Sequence, residues 1–307
     1  MPRPLPHKPG AERRKFRPDV IETYTADSET TLLPFLIKSM PQRKRTSVKE
    51  LLKHNQVAIG DTPVTQHDTP LQPGTVVKVN ITREFQTFYN RRIKIVYEDD
   101  DIIVANKGYG LLSMGTDRVK EGTAYSILRD WVKRKDPRNK LFIVHRLDRD
   151  TSGLMMFAKT EEAKDAMQHN WNNMVINRRY LAVVEGIMEP AEGTIRSYLA
   201  ENSQFEVYST ENPDEGQLAV TRYKTLATRK NHSLLEVELD TGRKNQIRVH
   251  LSDKGHPIVG DRKYGAGPSP IHRLALHAQT LRFIHPVTRR DMNFSTPIPA
   301  AFASLVK

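Results

Sequence analysis

Short apolar runs separated by polar turns follow one another from Arg92 towards the carboxyl end of the chain. IKIVYEDDDIIVANK contains two of these runs across an acidic turn, and further runs occur in LFIVHRLDRDTSGLMMFAKT, RRYLAVVEG and SLLEVELDTG. Such runs, rich in branched apolar residues, predict strands. Because few helical segments separate them, the pattern predicts an α+β fold with a mixed, largely antiparallel sheet and a few flanking helices, not a doubly wound parallel sheet.

One helix between these strands is well marked and begins near Glu161. Thr160 can cap it, and Glu161 and Glu162 suit the positive end of the helix dipole. An apolar stripe follows at helical spacing, formed by Ala163, Ala166, Met167, Trp171 and Met174. We interpret this stripe as a face that packs on the core, not as a cofactor site.

Two segments precede the strand-rich region. Residues 1–30 combine prolines with basic residues and predict a disordered basic arm. Residues 31–83 predict a compact unit of one or two helices and a few strands. Its segment TSVKELLKH predicts a short helix that Thr46 or Ser47 can cap, and VAIG and VVKVNI predict strands of a small sheet.

Basic residues cluster along the helical region of residues 31–83. The pattern resembles the S4 RNA-binding fold, in which a helix pair presents basic side chains to RNA. This resemblance implies that Arg43, Lys44 and Arg45 bind RNA. The alternative is a structural cap domain whose lysines are only solvated.

The chain is strongly basic and contains no cysteine. Its 48 lysine and arginine residues outnumber 36 acidic residues, which gives a formal net charge of +12. Such an excess attracts nucleic acid, and we find no basic amphipathic helix with aromatic anchors that would favour a membrane surface. The lack of cysteine excludes a disulfide framework, a thiolate zinc site and a cysteine nucleophile. No apolar stretch has the length of a membrane span, so we expect a cytoplasmic protein.

HRLDRDTSG, residues 145–153, contains an aspartate between two arginines. Its segment D-x-D-x-S-G copies the first half of a calcium-binding loop, but Lys159 occupies the twelfth position, where such a loop requires an acidic residue. The histidines of the chain lack metal-ligand spacing, and neither a glycine-rich phosphate loop nor a G-x-S-x-G elbow occurs. The sequence therefore predicts no metal and no nucleotide cofactor.

Asp148 lies between Arg146 and Arg149 on a loop between two predicted buried strands. Rigid strands commonly hold reactive residues in such loops. Nearby cations lower the pKa of a carboxyl group, so an ionised Asp148 can act as a nucleophile or a base. The alternative is structural, with Asp148 in an Asx turn or an ion pair.

The same segment resembles the H-R-L-D-x-x-T-S-G signature of the RluA family of RNA pseudouridine synthases at every specified position. YEDDDIIVANKGYGLL, RRYLAVVEG, TGRKNQIRVHLSDKGHPIVGDRKYG and RLALHAQTLRFIHPVT resemble further segments of the family in the same order. The resemblance covers about residues 92–300, and an S4-like domain is its usual companion. The chain departs from the family in two places: Gly108 replaces a common proline, and GRKNQIR replaces the more frequent GRTHQIR.

The resemblance implies the roles of five residues. Asp148 would be the catalytic nucleophile, attacking either the sugar or the base ring of a uridine. Tyr180 would stack on the target uracil and relay a proton, and Arg248, on a short helix, would hold Asp148 in a bidentate ion pair. Arg146 would stack on bases beside the flipped nucleotide and bind phosphate, with His145 next to it in the substrate site.

The resulting hypothesis is an RNA pseudouridine synthase that isomerises uridine in structured RNA, either ribosomal or transfer RNA. The N-glycosidic bond breaks, the uracil turns over, and C5 rejoins the same sugar, so no cofactor is required. We expect residues 92–307 to form the catalytic domain, with the pseudouridine synthase fold, and the protein to be monomeric. The alternative hypothesis is a non-catalytic RNA-binding or ribosome-assembly factor with a synthase-like shell.

Overall fold

The computed structural model describes residues 19–60 and 62–306. It divides the chain into two compact units, with the boundary between Tyr89 and Asn90. Each unit has a sheet of its own. No helix in the described part of the chain has the length and hydropathy needed to cross a membrane.

The amino-terminal unit combines two helices with a small antiparallel sheet. Its elements are β1 (Ile21–Thr25), β2 (Thr30–Thr31), α1 (Leu32–Ser39), α2 (Arg45–Lys53), β3 (Val57–Ile59), β4 (Thr62–Pro63), β5 (Pro70–Leu71) and β6 (Val76–Asn80). The main sheet has the order β1-β6-β3-β4, and β2 pairs with β5. Buried apolar side chains of both helices pack with those of β3 and β6 in one core, including Leu32, Leu36, Val48, Leu51, Leu52, Val57, Val77 and Val79.

The disordered arm predicted for residues 1–30 was too long. Strand β1 lies within it and pairs with β6 over its full length, from Ile21 opposite Asn80 to Thr25 opposite Val76. The segment IETYT consists largely of β-forming residues, but the prolines and arginines before it obscured that signal. Residues 1–18 lie outside the described residues.

The predicted cap of α2 was also wrong. The helix begins at Arg45, and Lys44, in an extended conformation, is its N-cap residue without a side-chain hydrogen bond. Thr46 and Ser47 therefore lie inside the first turn. The backbone amide of Val48 already donates to the carbonyl of Lys44 at 3.1 Å, so the turn closes before either hydroxyl can serve as a cap.

The carboxyl-terminal unit is built on one large sheet with helices beside it. Its strands are β7 (Ile93–Glu98), β8 (Ile102–Lys107), β9 (Phe142–Ile143), β10 (Ser152–Ala158), β11 (Val175–Glu185), β12 (Glu192–Glu201), β13 (Val207–Thr210), β14 (Gln217–Arg229), β15 (His232–Leu239), β16 (Leu276–Ile284) and β17 (Asp291–Ser295). Its helices are α3 (Ala124–Lys135), α4 (Glu161–Met174), α5 (Gln246–Asp253), α6 (Ala300–Val306) and a 3-10 helix (Arg262–Tyr264).

The large sheet has the order β13-β12-β14-β15-β11-β16-β10-β8-β7, with β17 on β16 and β9 on β10. Among the strands of residues 90–306, only β10 and β16 pair in parallel. The predicted α+β fold with a mixed, largely antiparallel sheet is therefore confirmed. The parallel contact requires Gly153, because a Cβ there would lie 2.2 Å from the carbonyl oxygen of Ala278. The loop that carries Asp148 ends at this close contact.

Helix α4 covers one side of the sheet beside β10. Thr160 accepts a hydrogen bond from the backbone amide of Ala163 at 3.2 Å, which confirms the predicted cap. Ala163, Met167 and Met174 are buried in a core that includes β8 and β10. Ala166 and Trp171, predicted to belong to the same buried stripe, are only half-buried.

Candidate active site

Asp148 lies on the loop between β9 and β10, and hydrogen bonds hold this loop on both sides of it. The hydroxyl of Ser113 donates to the carbonyl of Leu147 at 2.6 Å, and the amide of Leu147 donates back at 3.1 Å. On the other side, Nζ of Lys107 donates to the carbonyl of Arg149 at 3.0 Å. The backbone around Asp148 is thus fixed by buried residues of another segment.

Five of the predicted site residues line one cavity of about 370 Å³: His145, Arg146, Asp148, Tyr180 and Arg248. They come from the Asp148 loop, from β11 and from α5. The cavity is large enough for one nucleoside and is lined by both aromatic and charged groups. The tertiary structure therefore brings together residues that are up to 103 positions apart, from His145 to Arg248.

Arg248 does not hold Asp148 in the predicted bidentate ion pair. Its Nε and Nη2 atoms donate to Oδ2 and Oδ1 of Asp261, both at 2.7 Å, whereas its Nη1 lies 3.8 Å from Oδ2 of Asp148. The Asp261 side chain is 1% exposed, so water cannot hydrogen-bond to its carboxylate. The carboxylate therefore accepts both hydrogen bonds from Arg248 instead. The remaining edge of Arg248 faces Asp148 as a nearby cation.

Two further neighbours fix the Arg248 guanidinium. Oδ1 of Asn245 accepts from its Nη1 at 3.0 Å, and its Cζ lies 4.9 Å from the centre of the Tyr264 ring. Asn245 in turn donates to the Tyr264 hydroxyl at 2.9 Å. Arg248 is therefore held on three sides, and its position relative to Asp148 does not depend on Asp148 itself.

The pKa of Asp148 is raised, because burial outweighs the opposing charges of Arg248, Arg146 and Lys107. The prediction that the neighbouring arginines lower this pKa was therefore wrong in its net direction. It counted the charges but not the burial, and only 27% of the Asp148 side chain is exposed. No hydrogen bond from any described residue occupies the carboxylate, so its oxygens remain available to a bound substrate.

Tyr180 lies on β11, where Val237 of β15 and Ala278 of β16 are its register partners. Its side chain is 9% exposed and lines the cavity with Asp148. Burial raises the pKa of its hydroxyl, while the positive charge of Arg178 opposes that shift. Within residues 19–60 and 62–306, no group forms a hydrogen bond with this hydroxyl, so it can interact with a ligand in the cavity.

Arg146 and His145 lie side by side but in different environments. Arg146 is exposed, and no described residue forms an ion pair or hydrogen bond with its guanidinium. His145 accepts a hydrogen bond from the backbone amide of Met156 through Nε2 at 2.9 Å. Burial lowers the pKa of His145 to about 3, with Arg178 contributing in the same direction. His145 is thus a neutral ring that anchors the loop to β10, and Arg146 is an exposed charge at the cavity.

Lys107, at the end of β8, is a fully buried lysine behind the Asp148 loop. Its Nζ donates to the carbonyls of Gly108, Leu111 and Arg149 at 3.1, 2.8 and 3.0 Å. Three carbonyls match the three N–H donors of an ammonium group. Burial lowers the pKa of Lys107 to about 7, and nearby carboxylates, including Asp148, oppose this shift. The lysine connects β8 to the loop of Asp148.

Arg43, Lys44 and Arg45 belong to the amino-terminal unit and are not among the residues that line this cavity. Lys44 and Arg45 are exposed at the start of α2, and Arg43 is half-buried. Their side chains therefore form a separate basic segment on that unit.

Among the described residues, one cluster of side chains that could bind a metal occurs outside the cavity. Asp99, Asp101 and His285 bring ligand atoms within 4.8 Å of one another. The Asp99 carboxylate already accepts hydrogen bonds from the amides of Asp101 and Ile102 and from the Tyr97 hydroxyl, and it contacts His285 at 3.0 Å. These bonds account for the cluster as a structural connection between β7, β8 and β16.

Sequence reasoning missed several residues that support the site, and Asp261 and Lys107 make the closest charged contacts among them. Lys107 ends the apolar run DIIVANK, which is the one local signal that its side chain enters the core. Asp261 lies in the segment GDRKYG, and no local pattern pairs it with Arg248, 13 residues earlier. Both roles depend on contacts between different elements.

Comparison with known proteins identifies relatives that align over most of the chain. A family model described as RNA pseudouridylate synthase matches residues 101–253. Ribosomal large subunit pseudouridine synthase D of Haemophilus influenzae is 32% identical over 88% of this chain and 88% of its own length. The protein of that name from Escherichia coli is 31% identical over 89% of this chain and 88% of its own length.

Shorter matches extend the comparison to a second bacterial lineage and to solved structures. A protein named Uncharacterized RNA pseudouridine synthase YjbO, from Bacillus subtilis, is 36% identical over 70% of this chain and 76% of its own length. The structure of Human RNA Pseudouridylate Synthase Domain Containing 4 superposes with a TM-score of 0.57 at 25% identity, covering 68% of this chain and 90% of that chain.

Proposed function

The chain belongs to the RNA pseudouridylate synthase family and is an RNA pseudouridine synthase, and we propose that its substrate is a uridine of large-subunit ribosomal RNA. The names of relatives that align over most of the chain support ribosomal over transfer RNA. The same relationship disfavours the alternative hypothesis of a non-catalytic assembly factor.

The observation that supports Asp148 as the nucleophile is its position in the cavity together with Tyr180 and Arg248. In the reaction, the N1–C1′ bond of uridine breaks and a C5–C1′ bond forms, while C5 loses a proton and N1 gains one. The uracil never leaves, so one carboxylate can serve where a glycoside hydrolase needs two. Asp148 attacks either the sugar or the base ring.

Arg248 favours the ionised form of the nucleophile. Its Nη1 lies 3.8 Å from the Asp148 carboxylate, and its charge lowers the pKa of Asp148 against the effect of burial. Since Asp261 takes the two shorter hydrogen bonds, the Asp148 oxygens can form a covalent bond without first breaking a bidentate ion pair. This arrangement stabilises the charge and leaves the nucleophile accessible.

Tyr180 provides the stacking surface for the uracil and the group that moves the proton from C5. Its ring lines the cavity, and its hydroxyl has no hydrogen-bond partner in the described part of the chain. A buried aromatic ring beside the nucleophile can restrict the rotation of the detached uracil to the plane of stacking. The neutral hydroxyl can donate its proton to N1 and then, as the phenolate, accept the proton that C5 loses, so that it ends unchanged.

Arg146 occupies the place in the RNA that the flipped nucleotide leaves. It is exposed and lies two residues before Asp148, so it can enter the stack while Asp148 contacts the nucleoside. A planar guanidinium can stack on bases and bind phosphate. Flipping costs a few kcal/mol of stacking energy, which this replacement partly restores.

The amino-terminal unit binds RNA outside the cavity, as an S4-like domain. Its helices α1 and α2 share a core with a small sheet, and Arg43, Lys44 and Arg45 lie together before and at the start of α2. This exposed basic segment supports contacts with the phosphate backbone, which favour binding without selecting a sequence.

Tritium release from RNA labelled at uridine C5 tests the proposal. The substrate is large-subunit ribosomal RNA from cells that lack the gene, and the variant is Asp148→Asn, which keeps the shape of the side chain but removes its charge. We expect release by the wild type, no release by the variant, and similar RNA affinity for both proteins. Sequencing of the product then locates the uridine.

Two outcomes would contradict the proposal. Release by Asp148→Asn at the wild-type rate would exclude Asp148 as the nucleophile. Release by the wild type from transfer RNA but not from ribosomal RNA would overturn the choice of substrate and leave the chemistry intact.

A further inference from the structure

Trp171 and Arg178 also line the cavity, and neither has a role in the reaction described above. Trp171 follows the irregular position Asn170 near the end of α4. Arg178 lies two residues before Tyr180 on β11, and both side chains line the cavity. The Cζ atom of Arg178 lies 5.8 Å from the centre of the Trp171 ring, within the range of a cation–π contact.

The guanidinium of Arg178 has no acidic partner. No described residue forms an ion pair or hydrogen bond with it, although the side chain is half-buried. The adjacent Arg179 contrasts with it, because Glu236 and Glu238 lie 3.6 and 3.9 Å from its guanidinium. A partly buried cation without a counter-ion is costly unless an anion binds to it.

The charge of Arg178 acts on groups inside the cavity. It lowers the pKa of His145 and opposes the raised pKa of Tyr180. Arg178 lines the same cavity as His145 and Tyr180, so its guanidinium lies close to the walls that would surround the flipped nucleoside. An anion bound to Arg178 would therefore lie next to the nucleoside and not at a distant surface.

Gly242 provides the space that the guanidinium occupies. A Cβ at this position would lie 2.8 Å from Nη1 of Arg178, closer than real side chains allow. Gly242 belongs to the loop before α5, which also carries Asn245, the partner of Arg248. The guanidinium thus lies between the Trp171 ring and this loop.

We propose that Arg178, supported by Trp171 and accommodated by Gly242, binds a backbone phosphate of the RNA next to the flipped uridine. A planar guanidinium with free donors matches the oxygens of a phosphodiester. A flipped nucleotide carries its two flanking phosphates to the mouth of the pocket, where such a contact can hold the backbone while the uracil turns. This inference rests on the proposed function and adds a phosphate subsite to it.

A chemical double-mutant cycle tests the contact. The probe is a short hairpin cut from the ribosomal RNA around the uridine that the wild type modifies, with one phosphate at a time replaced by an uncharged methylphosphonate. Affinity is measured in the Asp148→Asn background, with and without Arg178→Gln, so that no turnover occurs. We expect Arg178→Gln to weaken binding of the unmodified hairpin about tenfold. In the protein that carries Arg178→Gln, a methylphosphonate at one phosphate beside the uridine should cause no further loss of RNA affinity.

Arg179→Gln is the matched control, because it removes the same charge from the neighbouring residue, which lies beside Glu236 and Glu238. With Arg179→Gln, each methylphosphonate should lower RNA affinity by the same factor as in the protein that retains Arg179. Gly242→Ala should act like Arg178→Gln but more weakly, since its Cβ displaces the guanidinium without removing it.

If each methylphosphonate lowered RNA affinity equally with and without Arg178→Gln, the proposed phosphate contact would be wrong. A lower single-turnover rate of Arg178→Gln at saturating RNA with unchanged affinity would also contradict it, because the residue would then act through Tyr180 and not through the backbone. Failure of the proposed function would differ from both results, since the wild type itself would then isomerise no uridine in ribosomal RNA.

Discussion

Arg248 forms both of its short charged hydrogen bonds with Asp261, at 2.7 Å each, and faces Asp148 at 3.8 Å. Asp261 therefore fixes the orientation of the Arg248 guanidinium, and the charge of that guanidinium lowers the pKa of Asp148. A guanidinium shared between two carboxylates can stabilise one of them without being bound tightly to it. The role of Asp261 is a positioning role, because it does not line the cavity.

We expect Asp261→Asn to lower the single-turnover rate at saturating RNA by about 10²-fold, because Arg248 loses its anchor and Asp148 loses its aligned counter-charge. The charge of Arg248 lowers the pKa of Asp148 by more than the charge of Asp261 raises it, so displacement of Arg248 should shift the acid limb of the pH–rate profile to higher pH. Asp240→Asn, at an exposed carboxylate paired with Arg222, is the control. A wild-type rate with an unshifted profile would show that Arg248 needs no anchor.

The reaction should require a deprotonated Asp148, and the rate should rise with pH through a pKa above the ordinary value of about 4. Burial raises the folded-state pKa, so the carboxyl group stays protonated to higher pH than in water. Arg146→Gln removes a charge that lowers this pKa, and the acid limb should move to higher pH. Arg149→Gln is the control, because Arg149 pairs with Asp150. The measurement is the single-turnover rate at saturating RNA across the acid pH range. An unchanged acid limb of the pH–rate profile in Arg146→Gln would contradict the prediction.

Lys107→Met should destabilise the carboxyl-terminal unit by at least about 2 kcal/mol, because three carbonyls lose their buried donor. Burial lowers the folded-state pKa of Lys107 to about 7. The unfolded state therefore binds a proton more tightly, and the wild type should gain up to about 1.4 kcal/mol of stability per pH unit from this group as the pH rises from 7 towards 10.

Chemical unfolding at several pH values measures both effects of Lys107. The variant should lack the gain in stability between pH 7 and 10 that the lysine contributes to the wild type. Lys94→Met, at an exposed lysine on β7, should change neither the stability nor its pH dependence. A variant as stable as the wild type would mean that the three carbonyls find other donors.

Lys44→Ala combined with Arg45→Ala should weaken RNA binding and reduce the slope of log affinity against log salt by about two, if both side chains contact phosphates. The control combines Lys38→Ala and Lys53→Ala in the same unit. Lys38 already forms an ion pair with Asp27, and Lys53 forms one with Glu50. Titration of the same RNA at several salt concentrations distinguishes the pairs. An unchanged slope for the first pair would remove the amino-terminal unit from RNA binding.

The sequence by itself determined the class of the large fold and the position of the reactive loop. Periodicity and turn residues record how each segment is buried, so the strand runs after Arg92 and the cap at Thr160 could be read without neighbours. HRLDRDTSG, Tyr180 and Arg248 were recognised because a motif is a local property of the chain. That Asp148, Tyr180 and Arg248 meet in one cavity followed from the resemblance, not from spacing.

The tertiary structure alone decided which charges pair and what each carboxyl group experiences. Whether Arg248 forms its hydrogen-bonded ion pair with Asp148 or with Asp261 depends on how α5, the 3-10 helix region and the Asp148 loop pack together. The net direction of the Asp148 pKa depends on burial, which the flanking arginines do not reveal. Trp171 satisfied a core pattern yet lies half-buried beside Arg178 at the cavity. Pairing and burial are properties of three-dimensional neighbours, and residues far apart in the chain supply them.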